Sequence, residues 1–256
     1  MVMMIYFTGH EKESDLSEGI YTTEYRLYDA RVGRWLSVDP LFEKYVGMSP
    51  YNYCMLNPVM MVDPDGRDWI LAQGNKTIWY AGKYGDRSEI LHEYKSTSGY
   101  ANEFYGEDFR NSKYQHIPNL GPTVEGKYQL KLGDGSIKKA KTHKGALIRA
   151  NDGIESLTEI DSVDNDAILQ SWGEKRIRMQ KVDVKQPVDN ESGEISERDL
   201  DSFYFHDSKK GHTSGCHEIE SQFFDDLQEY SKKGNKKIEV KVEYKANQST
   251  YGGTDL

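Results

Sequence analysis

Residues 206–217 read His-Asp-Ser-Lys-Lys-Gly-His-Thr-Ser-Gly-Cys-His, the densest run of chemically capable side chains in the chain. Cys216 is the candidate nucleophile, because a thiolate attacks carbonyls far more readily than any hydroxyl at neutral pH. His206 closes an apolar stretch, Asp201–His206, that reads as a strand. Ten positions separate it from Cys216, enough chain to fold back and bring the imidazole to the sulfur as general base. The successive amides of Ser214, Gly215 and Cys216 can form an anion-binding nest, with Gly215 permitting close approach of a substrate carbonyl. Ser214 reads as the N-cap of a helix beginning at Cys216, whose end would pull the thiol below its ordinary value of about 8.5. His212 is the fallback base, and His217 reads as a helix-surface residue. Two other readings compete. Cys216 could be a small buried hydrophobe. Three histidines and a cysteine could also hold zinc, although paired ligands at knuckle spacing and a second cluster are lacking. No cofactor is expected. Cys54, the other cysteine, reads as structural, so at most one disulfide could form.

The elements that must position these groups are mostly strands. Thr77–Ala81, Lys127–Leu132 and Asp201–His206 read as strands, and Lys237–Tyr244 alternates with Ile238, Val240, Val242 and Tyr244 on one face. One helix is expected from the stripe Ile219, Phe223, Phe224, Leu227 and Tyr230. Glu218 and Glu220 lie near its start, Lys232 and Lys233 near its end, and Gly234 follows as a stop. Gln186–Arg198 is acidic and turn-rich and reads as a surface loop. Residues 18–65 differ: Tyr21, Tyr25, Tyr28, Trp35, Tyr51 and Tyr53 alternate with Asp-Pro and Asn-Pro turns, the pattern of repeat units that bury their aromatics against neighbours. The fold class is therefore mainly β with some α, in about two units for 256 residues. Thirty aromatic side chains argue against disorder. A net charge of -9 provides no field to attract a phosphate backbone, so no nucleic acid partner is expected. No apolar run nears the roughly 18 residues of a membrane span. Met1–Phe7 has neither a basic n-region nor a cleavage site, so any export is expected to rely on another carrier.

Two resemblances sharpen this. Phe7-Thr8-Gly9, Tyr28-Asp29-Ala30-Arg31-Val32-Gly33-Arg34-Trp35-Leu36-Ser37-Val38-Asp39-Pro40, Ser49-Pro50-Tyr51-Asn52-Tyr53, Asn57-Pro58-Val59 and Asp63-Pro64-Asp65-Gly66 together resemble the RHS-repeat-associated core domain of bacterial polymorphic toxins. The resemblance implies a core end over residues 1–67, closing an upstream RHS cocoon, and a variable toxin over 68–256. Some members cut themselves at this junction with nearby aspartates, which makes Asp39 and Asp63 candidates, although Arg67 stands where self-cleaving members often have Leu.

The second resemblance spans about residues 115–245. A strand ending in His206 followed by Ser214-Gly215-Cys216 resembles the YkuD-type L,D-transpeptidase signature, and its short His-to-Cys spacing is similar to L,D-transpeptidase-like effectors of type VI secretion. Ile117 to Tyr128 resembles the Gly-Pro entry strand of that fold, with Val124 in place of a common proline. Trp172-Gly173 and Arg176-Ile177 resemble its Trp-Gly segment. Thr213-Ser214 stands where many members have Ser-His. These likenesses imply a YkuD-like mixed β-sheet domain with its helix beginning at Cys216. They imply Cys216 and His206 as catalysts, an oxyanion hole from Ser214 to Cys216, and Trp172, Gly173 and Arg176 (or Arg178) as substrate contacts. The implied substrate is the peptidoglycan stem peptide, reached in the periplasm of target bacteria by a secreted antibacterial effector. A cognate immunity protein and secretion machinery would be its partners. A catalytically inactive binding tail, or another RHS-linked toxin such as a nuclease, is the alternative. An NlpC-type peptidase would place Cys before His, the reverse of the order here.

Overall fold

A computed structural model describes residues 11–12, 19–22, 26–39, 49–53, 68–158, 160, 165–189 and 191–255. Cys54, Asp63 and Arg67 lie outside them. The chain divides into one unit of Met1–Asp68 with Ala81–Ser88 and another of Trp69–Tyr80 with Glu89–Leu256.

In the first unit, four short antiparallel strands run in sequence order: β1 (Glu11–Lys12), β2 (Ile20–Thr22), β3 (Leu27–Asp29) and β4 (Arg34–Trp35). Tyr28, Trp35 and Tyr53 form its aromatic cluster, with Tyr21 against it. The Trp35 and Tyr53 rings meet edge to face at 5.1 Å, the geometry favoured by their quadrupoles. The Arg26 guanidinium lies 4.0 Å from the Trp35 ring centroid and pairs with Asp39 at 2.7 Å. Asp39 is thus engaged in an ion pair.

The second unit is built on β5 (Trp69–Ala72), β6 (Lys76–Tyr80) and the long β7 (Ile90–Ser98), followed by the small hairpin β8 (Ala101–Asn102) and β9 (Glu107–Asp108). Then come β10 (Gly126–Lys131), β11 (Ile137–Lys139), the pair β12 (Thr142–His143) and β13 (Ala146–Leu147), and β14 (Ile154–Ser156). Helix α1 (Asn165–Trp172) leads into β15 (Lys175–Arg178), β16 (Gln180–Val184), β17 (Tyr204–His206) and β18 (His217–Ile219). Helix α2 (Gln222–Lys232) and β19 (Lys237–Val242) complete the order. Eleven strands form one mixed sheet, ordered β11-β14-β15-β17-β18-β7-β6-β5-β19-β10-β16. Strand β7 joins its halves, pairing with β6 along most of its length and with β18 through Ser96–Ser98. Among the described residues no helix is long and apolar enough to cross a membrane.

The protein is mainly β, and β19 follows the alternation expected of it, burying Ile238, Val240 and Val242. The apolar stripe Phe223, Phe224, Leu227 and Tyr230 is buried on α2, against Trp79, Tyr94 and Phe205. Burying each such side chain contributes roughly 1.5–3 kcal/mol, which fixes the helix to this sheet face. The expected helix start at Cys216 is corrected. Residues 217–219 are a strand paired on both sides, and α2 begins at Gln222 after Ser221, which makes no side-chain cap. Glu218 accounts for this. Its carboxylate accepts the Ser208 and Thr254 hydroxyls and the Lys210 and Gly211 amides at 2.9 and 2.8 Å. Those donors hold the segment extended in the sheet, outweighing a helix propensity worth only tenths of a kcal/mol per residue.

Candidate active site

Strands β17 and β18 lie side by side and parallel, with Phe205 opposite His217 and His206 opposite Glu218. Side chains two apart share a face, so Tyr204 and His206 stand on one side of the sheet with Cys216 and Glu218 beside them. His206 and Cys216 are diagonal neighbours on that face. The next strand, β15, places Arg176 opposite His206. Trp172, at the end of α1, covers this group, its ring meeting Tyr204 at 5.4 Å and His206 at 5.3 Å, both edge to face. Cys216 packs with Ala150, Tyr204 and Trp172. Residues from positions 150, 172, 176, 204, 206 and 216 thereby meet on one wall.

Gly173 makes the Trp172 position attainable. It ends α1 with φ 75°, its amide donating to the Leu169 carbonyl at 2.7 Å, as a left-handed C-terminal residue does. A Cβ there would collide with Asp207 Oδ1. That carboxylate accepts the Glu174 and Lys175 amides at 2.7 and 2.8 Å, tying the end of α1 to the residue after His206. Gly173 is therefore a positioning element, with no side chain to offer a substrate.

The Cys216 segment is held by its carbonyls. The Gly215 carbonyl accepts the Thr123 hydroxyl at 2.6 Å, and the Cys216 carbonyl accepts Ser98 at 2.8 Å and Thr213 at 2.5 Å. A trans peptide points its N–H away from its C=O, so the Cys216 amide faces away from Thr123. Among the described residues the amides of Ser214, Gly215 and Cys216 donate to no acceptor. Gly215 has φ 104°, and a Cβ there would sit 2.6 Å from an Arg198 nitrogen. Among the described residues the arrangement leaves three N–H donors unused in the segment that ends at Cys216.

The resting protonation states differ from expectation. Burial pushes the Cys216 thiol up to about 11, against smaller opposing effects from the Tyr204 amide and the cations Arg176, Arg198 and Lys210. The expected depression by a helix end is thus corrected, since the adjoining element is a strand. Sγ points to the Ser202 carbonyl at 3.8 Å. His206 is buried, and desolvation lowers it to about 3, with Lys210, His217 and Arg176 adding to the shift and a hydrogen bond to the Trp172 backbone opposing it. Its Nδ1 has no hydrogen-bond partner. Thiol and imidazole are both neutral at rest, and the imidazole keeps an open acceptor.

Arg176 is 2% exposed, with Nε and Nη2 on Glu155 at 2.8 and 2.7 Å, Nη2 also on the Ile148 carbonyl, and its plane near the Trp172 and Tyr204 rings. Its expected role as a holder of substrate carboxylate is corrected on that account, because the guanidinium is already paired and serves as a brace within the wall. Arg178 is likewise occupied by Asp201 and the Ala150 carbonyl. His217 faces the opposite side of the sheet, fully buried against Phe205 at 5.2 Å, and so is no surface residue. His212 sits against Tyr100, with Arg110 and Asp108 nearby. Among the described residues no group of three or more His, Cys, Asp or Glu could hold a metal ion.

Two cations beside Cys216 escaped the sequence reading. Arg198 is buried, donates to the Gln115, Pro122 and Gly121 carbonyls, and lies against Gly215 and Phe203. It is the only cation between Lys185 and Lys209, a lone charge in an acidic run, and that is the signal that could have exposed it. Lys210 is the second. A cavity of about 550 Å³ opens between the end of α1 and residues 207–210, and Lys210 lines it.

No protein-family profile matches the chain. It is similar to salivary gland surface protein 1 of Aedes aegypti, 43% identical over 61 residues, or 24% of this chain. The chain spans about 2% of the length of that relative.

Proposed function

We propose that this protein is an antibacterial effector in which an RHS-core segment precedes an L,D-transpeptidase-like cysteine enzyme acting on peptidoglycan stem peptides. The observation that supports this best is the shared face of β17 and β18, where Cys216, the open Nδ1 of His206 and three unused amides stand together. Substrate binding displaces the Ser202 contact and brings thiol and imidazole together; such hydrogen bonds are commonly long before substrate arrives. Cys216 Sγ attacks the carbonyl of the L-centre at the third stem residue as its proton passes to His206. The oxyanion takes the Ser214–Cys216 amides. The C–N bond breaks, the amine of the terminal D-residue receives the proton, and a thioester remains. Water then releases the acid, giving carboxypeptidase activity, or an amine takes the acyl group, giving exchange or crosslinking. Self-cleavage at the junction would fall to Asp63, since Asp39 is paired with Arg26.

A second reading, an inactive binding tail, is favoured by the Sγ contact to Ser202 in place of an imidazole contact. Expression in a bacterium separates the two. Fused to a signal peptide, the chain is expected to lyse cells from the periplasm, to be harmless in the cytoplasm, and to lose this with Cys216→Ala or His206→Ala while retaining it with His212→Ala. Shortened stem peptides in digested cell wall are the chemical readout. Equal toxicity in both compartments, or toxicity that survives Cys216→Ala, would exclude peptidoglycan acyl transfer by this thiol.

A further inference from the structure

The cavity beside α1 carries a charge that its own walls leave unmatched. Asp207 and Ser208, directly after His206, form one side, and Leu169 and Gly173, flanking the Trp172 whose ring meets His206 edge to face, form the other. Each wall thus carries a chain neighbour of the His206–Trp172 pair, and the Lys210 amide is bound to Glu218, the cross-strand partner of His206. The cavity volume of about 550 Å³ exceeds what one amino-acid residue needs. Lys210 is half-buried there. Among the described residues no carboxylate lies within ion-pair distance of its Nζ. Glu218 is the nearest acid by electrostatic effect, but its oxygens are taken by two hydroxyls and two amides, one of them the amide of Lys210. Asp207 is likewise occupied by the Glu174 and Lys175 amides. Glu174 lies exposed at the rim.

We propose that Lys210 is the binding residue for a free carboxylate of the acyl donor, held in this cavity next to the bond that Cys216 attacks. This deepens the stem-peptide reading and rests on it. An ammonium with three donors and no fixed partner suits a carboxylate, and a half-dry site strengthens the pairing. Lys210 is close enough to Cys216 and His206 for each to feel its charge, so a carboxylate on Nζ stands near the dyad. Burial lowers the Lys210 pKa, and a bound anion would restore it. A stem tetrapeptide offers three such groups: the α-carboxylate of the γ-linked D-Glu, the side-chain carboxylate of a diaminodiacid at the third position, and the terminal α-carboxylate.

The test uses the full chain and four synthetic tetrapeptides, L-Ala–γ-D-Glu–meso-diaminopimelate–D-Ala and its three mono-amides, one at each of those carboxylates. Release of D-alanine or its amide gives kcat/KM. One amide is expected to be cleaved about tenfold or more slowly than the free acid, chiefly through KM, and to name the carboxylate bound. Lys210→Gln should cleave both at the same reduced rate, and Lys210→Arg should restore the preference. Equal cleavage of all four peptides by the unchanged protein would overturn the proposal without need of any variant. Calorimetric binding of the free tetrapeptide to Cys216→Ser, with and without Lys210→Gln, is independent of turnover. Weakening by Lys210→Gln there supports the carboxylate site even where no peptide is cleaved, a result that would remove the acyl-transfer reading alone. Unchanged affinity would overturn the carboxylate site.

Discussion

His217 gives the protein an acid-sensitive core, and the size of the effect follows from its surroundings. The side chain is 0% exposed and neither ring nitrogen has a hydrogen-bond partner. Desolvation alone lowers its pKa from 6.5 to about 3. A histidine with a folded pKa below its unfolded value binds more protons when unfolded, so stability rises with pH across the window from about 3 to 6.5. Taking those two values, acidification from pH 7 to pH 4.5 costs about 2.5 kcal/mol through this one residue. A phenylalanine in its place would keep the stacking with Phe205 and remove the titration. Urea unfolding of the full chain, followed by tryptophan fluorescence at pH 7 and pH 4.5, should show His217→Phe losing about 2.5 kcal/mol less than the unchanged protein over that interval. His206, lowered for the same chief reason, should supply a similar remainder. An identical loss in both proteins would show that the His217 imidazole finds a proton partner or water in solution, and the argument from its isolation would fail.

Two further outcomes are open to direct measurement. With burial holding the Cys216 thiol up at about 11, the folded protein should be alkylated at Cys216 by iodoacetamide more slowly near pH 7, by about a hundredfold or more, than the same residue in urea, as mapped by peptide mass analysis. A rate inflection below pH 8.5 would mean that the thiol is activated at rest. Gly173→Ala combines a left-handed φ with a clash at Asp207, so it should lower stability by about 2 kcal/mol or more and reduce turnover without touching substrate; a Tm within a degree of the parent would contradict this.

The sequence was most informative where one physical demand acts alone. Strand β19 alternates because one face meets the core and the other does not, and α2 has a stripe wide enough to read. Helix α1 stayed hidden because it has eight residues and none of them is fully buried, which leaves no periodic signal. Strand β18 was misread for a different reason. His217 and Glu218 are polar yet wholly buried on opposite faces, and the donors that settle Glu218 come from residues 208–211 and 254, which no local window contains. Cys216, His206 and Trp172 were legible as residue types, and the sheet register brings them onto one face. The commitments of Arg176 to Glu155 and of Arg198 to three carbonyls depend on packing across the unit, so their roles as braces could not be read from spacing.

The ligation of Glu218 also bears on when the site can exist. Its carboxylate needs Thr254, and β19 must enter between β5 and β10 before the sheet is continuous. Both lie beyond Cys216 and His206 in the chain, so they leave the ribosome after those two residues have been made. Until then the nascent polypeptide holds those two groups without the frame that aligns them. A cell producing this protein meets a finished site only once Thr254 has emerged to close it.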